Sequence, residues 1–392
     1  MPDNRPKHRW TRTEKWLIAT PLLVLLCFFG MTTGKEIARR KMGLPITVIP
    51  QADSLHGLAL SPDGMTVALS RELTSNEVRL YDTRTGNLCK IFHANLSRDR
   101  SGSTRITPAD ALAFSPDGRM LARGSAYGLI ELFNVATCQQ VNVIRAPAAH
   151  LAFSPNGRWI ASDKGRIFDA HTGKLHKKIP LAVSGHPIRF SPDGRFLATS
   201  EGNLQKWART SSLKGWVASA AKGSIQLWSV QTGHLVRTIA PSFAYNIAYS
   251  PDGKMLAALQ EVNWAEGQHY YNGSQVRMLD LAKGTVLWKS PNEFGIRRGD
   301  IAFSPNGRFL AVLRTDDSVE LHRSDDGTVV AVLRRAPKIR LTTKKPYSGF
   351  SMYSGLAFSF NGKVLAARAS SRDDDEIRIW NMDEVNAQFA PR

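Results

Sequence analysis

Apolar and polar residues alternate in short runs along most of this chain, and one run keeps returning. LAFSPDGRMLA at 112–122 and IAFSPNGRFLA at 301–311 place an apolar stretch, a turn and a second apolar stretch in the same frame. A period of two between turn signals predicts strands rather than helices. The frame recurs around Ser61, Ser115, Ser154, Ser191, Ser250, Ser304 and Ser359. In the tetrapeptide Ser61-Pro62-Asp63-Gly64 and its variants, proline presets φ at the second turn position and Asp/Asn-Gly supplies the positive φ that closes a tight hairpin. A second signal follows downstream, where β-rich runs such as VRLYD (78–82) and IQLWS (225–229) precede Thr85-Gly86, Thr172-Gly173, Thr232-Gly233, Lys283-Gly284 or Asp326-Gly327. Each unit therefore reads as four short strands.

Successive serines are 54, 39, 37, 59, 54 and 55 residues apart. Units of 37 to 39 residues are bare four-stranded blades, so the longer ones carry insertions. Four short strands cannot bury both faces alone, but seven sheets packed radially can, which predicts an all-β, seven-bladed β-propeller over 45–392. The SPDG turns, the aromatic-plus-polar strand ends Tyr81-Asp82, Phe168-Asp169, Trp228-Ser229 and Trp380-Asn381, and the Thr-Gly turns resemble WD40 repeats in the form common in bacterial and TolB-like propellers. The resemblance departs from the standard pattern at Leu279-Asp280 and His322-Arg323, where the Trp-Asp pair is lost, and its Gly-His element is missing from its usual place, Gly185-His186 lying just five residues before Ser191. What it implies is a fold; the same fold carries scaffolds and enzymes.

Spacing also suggests how the ring closes. An outer strand ending at Ile179 precedes Ser191 by twelve residues, and Ile49 of ITVI (46–49) precedes Ser61 by the same twelve, so ITVI is expected to be the outer strand of the last blade. In unit four, GNLQKW (202–207) echoes GSIQLW (223–228), which leaves two readings, a projecting inserted hairpin or extra strands in the sheet. Because both turn types fall on one face of a propeller, the excess length falls on the other: 92–110, 201–222, 260–275, 334–354 and 369–376. Loops held by a rigid scaffold carry function, so this top face is the candidate binding surface.

Charge sharpens that expectation. The formal net charge is +19, of which +6 belongs to the first 41 residues, leaving +13 on the remainder. Such a balance favours an acidic ligand or partner. The 334–354 loop contains Arg334, Arg335, Lys338, Arg340, Lys344 and Lys345 with no acidic residue, and Tyr347, Phe350 and Tyr353 follow. A loop expected from Glu261 to Ser274 offers Trp264, Tyr270 and Tyr271, side chains suited to anchoring an interface. Counting back four or five residues from the turn serines gives His56, Asp110, His150, His186 and Asp300 near the mouth of the channel. His and Asp are competent metal ligands, but the mixed parity turns these side chains to different faces, and no metal or other cofactor is assigned.

The N-terminus reads as a membrane anchor. Residues 1–15 are basic, and 16–34 enclose the uncharged run LIATPLLVLLCFFGM (17–31), short for a bilayer yet without a polar face. With no small-residue cleavage site, an uncleaved signal anchor, the linker 35–44 and an exported, periplasmic or extracellular propeller are expected; cleavage would make it a secreted protein. Cys27 lies in the anchor, and Cys89 and Cys138 are expected on neighbouring outer edges, too far apart to bond. The chain contains no GxSxG, HExxH, phosphate-binding glycine loop or CxxC. The reading is a membrane-tethered, non-enzymatic binding or scaffolding propeller, with a protein or acidic ligand on its top face. One alternative is a lactonase- or dehydrogenase-like enzyme with the His/Asp set at the channel mouth. The other is a nucleic-acid or polyanion binder, disfavoured because nucleic acid requires a cytoplasmic propeller.

Overall fold

The computed structural model describes residues 45–51, 55–71, 77–93, 97–98, 104–105, 111–125, 128–181, 187–202, 207–209, 216–218, 223–239, 244–266, 269–291, 300–314, 317–334, 355–370 and 375–388. They form a seven-bladed WD40-like propeller of four-stranded antiparallel sheets. The innermost strands are Leu55–Leu60, Ala111–Phe114, Leu151–Phe153, Ile188–Phe190, Ala244–Tyr249, Ile301–Phe303 and Leu356–Phe358. Each neighbours the next in that order, and the seventh returns to the first.

Alternation along these strands builds the core. Residues one and three before each turn serine face the preceding blade: Leu58 and Leu60 pack with Ile377 and Ile379 of blade seven. The residue two before faces the following blade, as Ala59 does in the cluster holding Leu121 and Phe133 of blade two. Neither face of a sheet meets water, which is why the strands read as apolar on both parities near the axis.

The repeated serine is the centre of each inner turn. Ser61 Oγ donates to Asp63 Oδ1 at 2.6 Å, the Met65 N–H donates to the same oxygen at 2.9 Å, and the Thr66 N–H donates to Ser61 Oγ at 2.9 Å. Asparagine serves equally: Ser154 Oγ donates to Asn156 Oδ1 at 2.7 Å and the Arg158 N–H to the same atom at 3.0 Å. The glycine has φ near +75° at Gly64, and a Cβ at Gly118 would lie 3.5 Å from Pro62 of the preceding blade. The same proline-on-glycine contact repeats from Pro116 and Gly157 round to Pro305 and Gly362, so it links the bottom-face turns from blade one to blade seven.

Blade seven takes its outer strand from the beginning of the propeller: Thr47–Gln51 pairs antiparallel with Asp375–Asn381, with Ile49 opposite Ile377. Ile49 is fully buried, and the strand covers an edge that would otherwise be open. In blade four the sheet keeps four strands, and Trp207–Arg209 pairs with Trp216–Ala218 as a separate hairpin inserted between Phe196–Gly202 and Gly223–Ser229. Blade two forms its outer turn with Cys138 where the others have glycine: Cys138 takes φ 59° and its N–H donates to the Asn134 carbonyl at 2.9 Å. Cys89 and Cys138 are free thiols. The segments 1–15, 16–34 and 35–44 lie outside the described residues, which contain no helix long and apolar enough to cross a membrane.

Candidate functional site

The two faces differ as connection lengths require. On the bottom, the inner turns share one geometry; on the top, blade five extends. Its strands Met255–Glu266 and His269–Asp280 are twelve residues each. The inner neighbour pairs no further than Gln260 and the outer neighbour no further than Arg277. Six cross-strand pairs, from Glu261↔Ser274 to Glu266↔His269, continue beyond the four-stranded sheet. At about 3.4 Å per residue they project about 20 Å from the top face. The expected loop at 261–274 is therefore corrected to a paired ladder running out to Glu266 and His269. Alternating β-formers on either side of a Gly-containing pair favour a two-residue hairpin over an open loop. Its register sets Trp264 opposite Tyr271 and Ala265 opposite Tyr270.

Of the basic set, Arg334 is exposed just beyond the outer strand Val329–Leu333 of blade six. Arg335, Lys338, Arg340, Lys344 and Lys345 lie outside the described residues.

The channel-mouth set is described only in part. Asp110 and His186 lie outside the described residues, and His56 is described through its backbone, on the inner strand of blade one. The His150 N–H donates to Asp163 Oδ1 at 3.4 Å beside that of Ala149 at 3.0 Å, which ties down the connection entering blade three. Asp300 is buried and clamps three blades. Its Oδ1 accepts from the Asn246 side-chain amide of blade five and from the Ile301 N–H at 2.9 Å; its Oδ2 accepts from the Gly355 and Leu356 N–H groups of blade seven at 2.7 and 2.9 Å. Four donors fill the acceptor capacity of one carboxylate. The role expected for Asp300 as an open channel-mouth ligand is thereby replaced by a structural one.

A different residue brings charge to the axis. Two positions before the turn serine, six blades have alanine: Ala59, Ala113, Ala152, Ala248, Ala302 and Ala357. Blade four has Arg189. The Ser191 N–H donates to the Phe196 carbonyl at 2.9 Å, so alternation turns the peptide groups of Arg189 into the sheet and the Ile188 carbonyl onto the free, axial edge. Arg189 Nη1 donates to that carbonyl at 3.0 Å, which places the guanidinium in the channel. Burial holds its pKa below the ordinary arginine value, and the negative charge of Asp300 offsets part of that shift. Lining up the seven serine frames reveals this one arginine among alanines; searching for His and Asp passes over it.

At the bottom of the channel, the seventh turn breaks the proline ring. Phe360 stands where the other turns have proline, is 76% exposed, and lines a hollow of about 480 Å³ with Pro116, Met120, Pro155 and Arg158 of blades two and three. In place of the proline contact, Asn361 Nδ2 donates to the Asp63 carbonyl at 2.7 Å and the Asn361 N–H to the Pro62 carbonyl at 3.3 Å, fastening the seam between blades seven and one.

No protein-family profile matches the chain. It is 37% identical over 82 residues to the WD repeat-containing protein SL1-17 of Schistosoma mansoni, a match spanning 20% of this chain and 23% of that protein. Among solved structures, hydrazine synthase of Kuenenia stuttgartiensis superposes with a TM-score of 0.61 over 84% of this chain and 96% of that one, at 18% sequence identity. At that identity the likeness is one of fold.

Proposed function

We propose that this chain is a non-enzymatic binding or scaffolding module of the TolB-like type, working through its top face. In this reading the segment 16–34 tethers it to a membrane, the propeller is exported, and the partner is a protein or an acidic ligand. The observation that carries it is the contrast between the faces. Tight, equivalent turns close the bottom, whereas a hairpin of two twelve-residue strands carrying Trp264, Tyr270 and Tyr271 leaves the top, with exposed Arg334 on the same side. A ladder extended so far beyond its sheet contributes little to blade packing, and Trp and Tyr are the residue types enriched at recognition surfaces.

The test replaces 262–273 by a two-residue Asn-Gly turn joining Glu261 to Ser274. The shortened protein is expected to keep its melting temperature within a few degrees and to lose partners recovered with the intact chain from native membranes. An unchanged partner list would refute the role of the hairpin.

A further inference from the structure

The axial channel carries a charge that the fold does not require. Six blades fill the position two before the turn serine with alanine, so an arginine in blade four is not needed to close the ring. The guanidinium has five N–H donors. Among the described residues one is used, in the bond from Nη1 to the Ile188 carbonyl, leaving four. Asp300 cannot take them directly, since its own oxygens are filled by the Asn246, Ile301, Gly355 and Leu356 donors, and it acts on Arg189 through its field alone. A half-buried guanidinium at the axial edge of its blade, with unspent donors, is chemically an anion receptor.

We propose that the channel is a binding site for a small oxyanion, a carboxylate or phosphate group held by paired N–H donors of Arg189. The fit is chemical: the planar fork matches two oxygens of one anion. Tyr249 replaces the phenylalanine found at the equivalent position of five inner strands, and its buried hydroxyl has no hydrogen-bond partner among the described residues. It lies toward the turn of blade four, where Asp193 acts on it, and is not counted as part of the site. The site is independent of the projecting hairpin, and its test does not involve that surface.

The experiment is calorimetric titration of the full chain with inorganic phosphate and, separately, acetate. Melting temperatures are recorded alongside. Saturable binding of either anion at one site per chain is expected, weakened at least tenfold by Arg189→Ala and less by Arg189→Lys. Arg119→Ala, which removes an exposed bottom-face cation, is expected to leave it unchanged. Preference for acetate or for phosphate identifies the ligand class. Because alanine is the residue of the other blades, Arg189→Ala is expected to melt no lower than the parent in anion-free buffer. Equal binding by the parent and Arg189→Ala, equal loss in Arg119→Ala, or no binding of either anion to the parent would overturn the site. A lower melting temperature for Arg189→Ala together with absent anion binding would make the arginine structural.

Discussion

At the scale of single residues, the turn aspartates show how one position can be both interchangeable and pH-sensitive. Burial tends to raise the carboxyl pKa of Asp117, Asp193 and Asp252, but the serine hydroxyl, a backbone N–H and the following Lys or Arg outweigh it and hold each below the ordinary carboxylate value. A depressed folded pKa contributes stability above the unfolded value near 3.9, lost as pH falls through the folded one. Asn156, Asn306 and Asn361 occupy the same turns without titrating. The combined change Asp117→Asn, Asp193→Asn and Asp252→Asn is therefore expected to leave folding at pH 7 nearly intact and to flatten the fall in melting temperature below about pH 4. Thermal unfolding across pH 2.5 to 7 checks this, and parallel curves would refute it. Phe360 offers a second test. Its ring is largely exposed and its N–H makes no hydrogen bond among the described residues, so Phe360→Pro restores the turn used elsewhere and is expected to stabilise by about 0.4–1 kcal/mol in chemical denaturation.

At the scale of elements, blade six shows how a sheet tolerates the loss of the Trp-Asp pair. His322 is buried at that position, stacks parallel to Trp288 at 6.1 Å, and places Nδ1 3.0 Å from the Gly327 carbonyl. Trp288 Nε1 donates to the Ser324 carbonyl at 2.9 Å, and Glu320 lies between Arg314 at 2.8 Å and His322 at 3.2 Å. The nearness of His322 is the main reason the Glu320 carboxyl stays below its ordinary pKa, although burial opposes it. Blade four retains a tryptophan, whose Nε1 donates to Thr199 Oγ1 at 3.2 Å. The position is thus filled by a buried side chain of varying type, from Phe168 and Leu279 to Trp228 and His322. The long hairpin of blade five marks the limit of element-level reading. Its excess length is visible as spacing, but its two strands became clear only from the paired register.

At the scale of the whole molecule, closure depends on a strand from the far end of the chain. Ile49 is 1% exposed and packs with Leu58, Val67, Ile377 and Ile379, so it joins blades seven and one in a single apolar cluster. Ile49→Ala is expected to destabilise by about 2–5 kcal/mol, measured in denaturant unfolding. The loss would fall on the seam first, detectable as early hydrogen exchange in Asp375–Asn381. Arg378 adds a polar tie to this region: it pairs with Glu376 at 2.8 Å and donates from Nη1 to the Asp317 carbonyl of blade six at 2.6 Å.

The sequence by itself determined the blade count, the turn positions and the contrast between faces. Those features rest on local chemistry that repeats: a Ser-Pro-Asp-Gly turn closes the same hairpin wherever it stands, and the distances between turns measure what is inserted. It also contained Arg189 in plain view, though searching for metal-ligand types directed attention to His56, Asp110, His150, His186 and Asp300 instead. Only the tertiary structure decided that Asp300 is saturated by donors from three blades and that Arg189 faces the axis with donors to spare. It also turned the expected 261–274 loop into a projecting ladder. The reason is physical: a hydrogen-bond acceptor is filled, and a strand extended, by partners that stand close in space but far apart in the chain.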